Sequence, residues 1–161
     1  MPEKRITREN TTLNMRIDGA QESSAPTLVF ANSLGTTLHL WDLILPHLPE
    51  GLRIVRYDMR GHGGSDVPPA PYTMGALISD AEAVCDAHQV RDAMFVGLSV
   101  GGLIAQGLAV KRLDLARALV LCGTAAKFGQ PEPWHTRAAA VRSGGMAAIA
   151  DETLARWNAG D

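Results

Sequence analysis

The chain has 161 residues, 46% of them hydrophobic and 20% charged, which is enough apolar side chain to bury one core and excludes disordered and fibrous classes. With 15 Lys and Arg against 17 Asp and Glu, the formal charge of −2 offers no electrostatic footprint for nucleic acid or an anionic membrane. Apolar runs such as Ala93–Val96 and Ala118–Cys122 fall far below the roughly 18 residues that span a bilayer, and the charged start MPEKRITREN lacks the apolar stretch of a secretion signal, so a cytoplasmic protein is expected. Cys85 and Cys122 are isolated thiols without ligand spacing, which argues against a disulfide or zinc site and predicts that both pack as small hydrophobes.

In chain order, residues 11–18 alternate apolar Leu13, Met15 and Ile17 with polar neighbours, the pattern of a half-buried strand, before the turn residues Asp18 and Gly19. Thr27–Ala31 is a continuous apolar run between Pro26 and the turn Asn32-Ser33-Leu34-Gly35, as expected of a strand buried on both faces of a parallel sheet. The same signal recurs at Arg53–Tyr57, Ala93–Val96 and Arg117–Cys122. Between these runs, Thr73–Gln89 places Leu77, Ile78, Ala81, Val84, Cys85 and His88 at helical spacing, and Leu103–Val110 is apolar nearly all round. Strands alternating with helices predict an α/β fold with a mostly parallel sheet and flanking helices. After Gly123 the character changes to Gln130-Pro131-Glu132-Pro133 and two alanine-rich helical stretches, Trp134–Val141 and Met146–Trp157, separated by Ser143-Gly144-Gly145. The expected organisation is therefore a core over residues 1–124 and the start of a helical cap over residues 125–161.

The chemistry is concentrated in Gly97-Leu98-Ser99-Val100-Gly101, a G-x-S-x-G between an apolar strand and an apolar helix. That spacing suits a nucleophile on a sharp turn, where a Cβ at either glycine would crowd the neighbouring backbone. It exposes Ser99 at the end of the strand and puts the backbone N–H of Val100 at a helix N-terminus, where it can stabilise a developing oxyanion. The turn after the earlier buried strand is the place for a second donor, assigned to the N–H of Leu34. Asp58, Arg60, His62 and Asp66, in Tyr57–Asp66, could pass for an acid/base or metal cluster. Buried ion pairing and backbone hydrogen bonds holding a tight loop are the expected role instead. His39, His47 and His88 lie in helical patterns without partnering ligands, no dinucleotide fingerprint appears, and neither a metal nor an organic cofactor is expected.

Taken together, TLVFANSLG, RIVRYDMRGHGGSD and FVGLSVGGLIAQGLA resemble the N-terminal part of an α/β-hydrolase. Within that superfamily, Asn32–Thr37 with Trp41-Asp42, Gly97-Leu98-Ser99 and Leu154-Ala155-Arg156-Trp157 are similar to the 3-oxoadipate enol-lactonases of aromatic catabolism. The resemblance implies attack by Ser99 on a lactone carbonyl, an oxyanion held by the Leu34 and Val100 amides, and a histidine backed by an aspartate as proton shuttle. A serine at the elbow sets the chain apart from dehalogenases and epoxide hydrolases, which use a carboxylate there. Trp134 is a candidate wall of the substrate pocket and Arg137, Arg142 or Lys127 a partner for an anion, though a core tryptophan or solvated cap charges would explain each of them equally.

In the family the acid and the histidine follow the cap, and this sequence stops inside it, so neither is assignable to these residues. The fold is expected to be C-terminally incomplete, and a further segment or a second polypeptide would have to supply both groups. The readings left open are a small-molecule ester or lactone hydrolase, another hydrolase of the same fold (a generic esterase, a carbon–carbon hydrolase or a perhydrolase), and an inactive fragment or non-catalytic binding module.

Overall fold

The computed structural model describes residues 2–157. Six strands form one sheet in the order β1-β2-β4-β3-β5-β6, with β1 at Lys4–Arg8, β2 at Thr11–Gly19, β3 at Thr27–Ala31, β4 at Arg53–Tyr57, β5 at Ala93–Leu98 and β6 at Ala116–Cys122. The pairs β4–β3, β3–β5 and β5–β6 run parallel, while β1–β2 and β2–β4 run antiparallel, which makes the mostly parallel sheet anticipated from the alternating elements. The anticipated strands appear within a residue or two. The addition is β1, whose pattern KRITR carries too much charge to read as a strand. It forms because β2 offers it a ladder, with Ile6 opposite Leu13.

Two layers of apolar side chain sandwich the sheet. On one face Leu13, Met15, Val29, Val55 and Phe95 pack with Val84 and Cys85 of α1 (Met74–Ala87) and Ile104 and Leu108 of α2 (Val100–Lys111). On the other, Phe30 stacks on Trp41 with ring centroids 4.6 Å apart, beside Ile54. Thr73 caps α1 by accepting the Ala76 N–H at 3.1 Å. Burial pushes the Cys85 thiol up to about 12, so it behaves as the inert small hydrophobe expected of it. Cys122 does not. It is exposed, because it ends β6 at the edge of the sheet, where Val120 and Leu121 are also exposed.

Chain contacts divide the molecule into Met1–Ala126 and Lys127–Asp161. The second unit holds α3 (Pro131–Gly144), a 3-10 turn at Met146–Ile149 and α4 (Ala150–Trp157), so the single helix expected over Met146–Trp157 is two elements. Gly145, at φ +69°, ends α3. No described helix is long and apolar enough to cross a membrane.

Two histidines should titrate on opposite sides of their ordinary value of 6.5. His39, in the 3-10 turn Leu38–Trp41, is raised chiefly by its 2.8 Å hydrogen bond to Asp42, helped by Glu3. His88, at the end of α1, is lowered chiefly by burial, then by Lys4 and Arg53. Protonated His39 thus adds stability that is complete below 6.5 and fades as pH rises through its raised folded value. His88 removes stability as pH falls below 6.5, because the unfolded chain takes up that proton first. Imidazole NMR titrations check both directions; Asp42→Asn should bring His39 back toward 6.5, and an unmoved His39 midpoint would contradict the assignment.

Candidate active site

Because β3 and β5 are adjacent and parallel, with Ala31 opposite Gly97, the loops that follow them leave the same end of the sheet side by side. The first carries Leu34; the second is the turn from β5 through Ser99 into α2. Ser99 has φ +56° and ψ −118°, a conformation that costs a non-glycine residue on the order of 1–3 kcal/mol and persists only where surrounding contacts enforce it. Here they do. The Ser99 N–H donates to the Cys122 carbonyl at 2.9 Å, and the Ser99 carbonyl accepts the Gly102 N–H at 2.9 Å and the Thr124 hydroxyl at 2.7 Å. A Cβ on Gly97 would sit 2.5 Å from the Gly101 carbonyl oxygen, and one on Gly101 would strike the carbonyl of Ala31, so both flanking glycines are required by backbone packing.

Val100 is the first residue of α2, so its N–H has no intrahelical acceptor and points out of the positive end of the helix dipole. Leu34 is 43% exposed, and its N–H has no acceptor among the described residues. The neighbours of Leu34 are tied down. Asn32, fully buried, donates from Nδ2 to the Tyr57 carbonyl at 2.8 Å and accepts the Trp41 indole N–H at 2.6 Å, while the Gly35 N–H donates to His62 Nε2 at 3.0 Å.

The Tyr57–Asp66 loop is a structural clamp, as its composition suggested. Asp58 accepts the Leu38 N–H at 2.7 Å on Oδ1, and the Gly64 N–H and Asn14 Nδ2 at 2.9 Å each on Oδ2. Arg60 grips Asp80 with two bonds of 2.6 and 2.7 Å, and Asp66 accepts the Thr12 N–H at 2.8 Å. His62 Nδ1 lies 3.1 Å from the Arg60 carbonyl, which can only accept, so Nδ1 carries the hydrogen and Nε2 presents its lone pair to Gly35. With both ring nitrogens engaged, His62 is a strut between two loops rather than a proton acceptor for substrate.

Among the described residues no imidazole or carboxylate hydrogen-bonds the Ser99 hydroxyl, and no three His, Cys, Asp or Glu side chains come together as a metal site. Trp134 lies in the second unit, where it is 43% exposed and packs on Phe128 with ring centroids 6.3 Å apart. In the same unit Arg137 donates to the Thr153 hydroxyl at 3.1 Å. Sequence reasoning does not reach Asn14 and Thr124, polar residues whose partners lie far away in the chain and which carry no local motif; it places Asn32 in the turn after β3 without the side-chain bonds to Tyr57 and Trp41.

A family model described as alpha/beta hydrolase fold matches residues 26–150. The chain is 36% identical over 152 residues to 3-oxoadipate enol-lactonase 2 of Acinetobacter baylyi, covering 94% of this chain and 56% of that protein. Among solved structures, the enol-lactonase from Burkholderia xenovorans LB400 superposes with a TM-score of 0.90 at 41% identity, covering 95% of this chain and 59% of that one. A hydrolase from Pseudomonas aeruginosa PA01 gives a TM-score of 0.85 at 42% identity, covering 94% and 57%. The chain thus spans a little over half the length of the relatives it matches.

Proposed function

The chain belongs to the alpha/beta hydrolase fold family, and from that premise we propose that it carries the nucleophile of a serine hydrolase acting on a small carboxylic ester or lactone, with 3-oxoadipate enol-lactone the favoured substrate. The observation that carries this reading is the backbone of Ser99, held at positive φ beside the free N-terminus of α2. In the proposed reaction Ser99 Oγ bonds to the acyl carbon as its proton passes to a base, and the carbonyl oxygen becomes an oxyanion between the Val100 and Leu34 N–H groups. Collapse of that intermediate breaks the ring C–O bond and releases an enolate oxygen, which takes up a proton and tautomerises to a ketone still tethered to the acyl-enzyme. Water then cleaves the Ser99 ester. No metal or organic cofactor enters these steps.

The base and its carboxylate partner are proposed to come from a segment outside these residues, or from a second polypeptide, that extends the sheet from β6. Trp134 is proposed as a wall of the substrate pocket. The experiment is the intact mass of the full protein before and after a serine-directed fluorophosphonate, beside Ser99→Ala. A single adduct that disappears in Ser99→Ala is expected. A folded protein that takes no adduct would overturn the catalytic reading in favour of a binding module; an adduct with faster turnover of simple esters than of enol-lactone would replace the substrate but keep the nucleophile.

A further inference from the structure

The Ser99 N–H and carbonyl make three hydrogen bonds, and only one of them involves a side chain: Thr124 Oγ1 donates to the Ser99 carbonyl at 2.7 Å. Thr124 reaches that point because Gly123, at φ +50°, turns the chain back over the elbow directly after β6. Its side chain fills the space that a Cβ on Gly102 would need, lying 2.5 Å from such an atom through Cγ2 and 2.6 Å through Oγ1. Gln106 anchors the turn from behind, with Nε2 donating to the Gly102 carbonyl at 3.1 Å and the Ala125 carbonyl at 3.3 Å. The end of β6 therefore grips the elbow on both sides, through the Cys122 carbonyl before Ser99 and the Thr124 hydroxyl after it.

The Ser99 carbonyl and the Val100 N–H are opposite ends of one planar peptide unit, so whatever fixes the direction of the first fixes the direction of the second. A hydrogen bond accepted by the carbonyl also polarises that unit and strengthens its N–H as a donor. We propose that Thr124 is a positioning residue for the oxyanion donor: by donating to the Ser99 carbonyl it aims and strengthens the Val100 N–H that receives the developing negative charge. This rests on the reading of Ser99 as the nucleophile. The Thr124 hydroxyl itself touches no substrate atom; its effect passes through the peptide.

The test compares Thr124→Val, which keeps the shape and loses the donor, with Thr124→Ser, which keeps the donor, both in the full protein with the segment that supplies the base. Thr124→Val should lower the rate of fluorophosphonate acylation, and kcat for a lactone, by roughly tenfold or more with KM unchanged, while Thr124→Ser stays within about threefold of the parent. Acylation by Thr124→Val at the parental rate, or a loss that Thr124→Ser fails to restore, overturns the proposal. If the parent itself is not acylated, the nucleophile reading fails, and amide hydrogen exchange then decides the positioning. The Ser99 and Gly102 amides, bonded to the Cys122 and Ser99 carbonyls, should exchange at least about tenfold faster in Thr124→Val than in Thr124→Ser, and equal rates overturn it. Should Thr124→Val not fold, Thr124→Ala takes its place in both measurements, since it removes atoms without adding any.

Discussion

Replacing Gly101 with alanine is expected to destabilise the protein by about 3 kcal/mol or more, at or beyond the upper end of what overpacking a core costs. The new Cβ would meet the carbonyl oxygen of Ala31, lie 2.5 Å from its carbon and 2.8 Å from the Asn32 carbonyl oxygen. All three are backbone atoms of the end of β3 and its loop, so no rotamer change relieves the clash. Either α2 lifts from the sheet or β3 shifts in register against β5, and both movements separate Ser99 from the loop that carries Leu34. Gly107, six residues along the same helix, is the control. A Cβ there meets side-chain atoms alone, Ile78 Cδ1 and, at 2.9 Å, Ile78 Cγ1, so a shift of one half-buried side chain relieves it, while alanine gains roughly 1 kcal/mol in helix propensity over glycine. Urea denaturation of the two variants should therefore separate them widely, and a Gly101→Ala midpoint close to that of Gly107→Ala would refute the packing argument.

Asp58→Ala is expected to cost a similar amount, about 3 kcal/mol, for a different reason. The carboxylate is buried and accepts from the Leu38 N–H, the Gly64 N–H and Asn14 Nδ2. Removing it leaves three donors without acceptors, each with its own desolvation penalty. Alanine also unties three segments at once: the turn after β3, the loop after β4, and β2. Asp58→Asn keeps one acceptor oxygen and exchanges the other for a donor, so it should fall between alanine and the parent. A loss in Asp58→Ala below about 1 kcal/mol in urea denaturation would show that these loops are held by something else.

The parts that were legible in the sequence are those with a local physical signature. Leu13, Met15 and Ile17 alternate because only one face of β2 meets the apolar core, and G-x-S-x-G is visible because backbone packing forbids a Cβ at Gly97 and Gly101. What escaped reading depends on partners distant in the chain. β1 is an edge strand whose residues are mostly exposed, so its composition is set by solvent, and its existence is decided by the ladder that β2 provides. Asn14 and Asp58 are 44 positions apart, Asn32 and Tyr57 are 25 apart, and no spacing rule marks either pair before the sheet has been assembled. Thr124 belongs with them, since its role exists only once the end of β6 lies against Ser99. Cys122 was misjudged for the converse reason: an apolar run signals burial, and the strand at the open side of a parallel sheet has less of it than its composition suggests.

That open side has a consequence in time as well as in space. During synthesis at about 5–20 residues per second, β1 to β6 can assemble as soon as Cys122 has left the ribosome, while whatever is translated later is still being made. Until another strand pairs with it, a nascent chain displays Val120 and Leu121 on a strand with unpaired amides and carbonyls, guarded at its start by the exposed Arg117–Asp92 ion pair. Any strand that pairs there, from the same chain or from a neighbour, satisfies the same groups, so folding and self-association compete for one edge, and crowding of nascent chains favours the second.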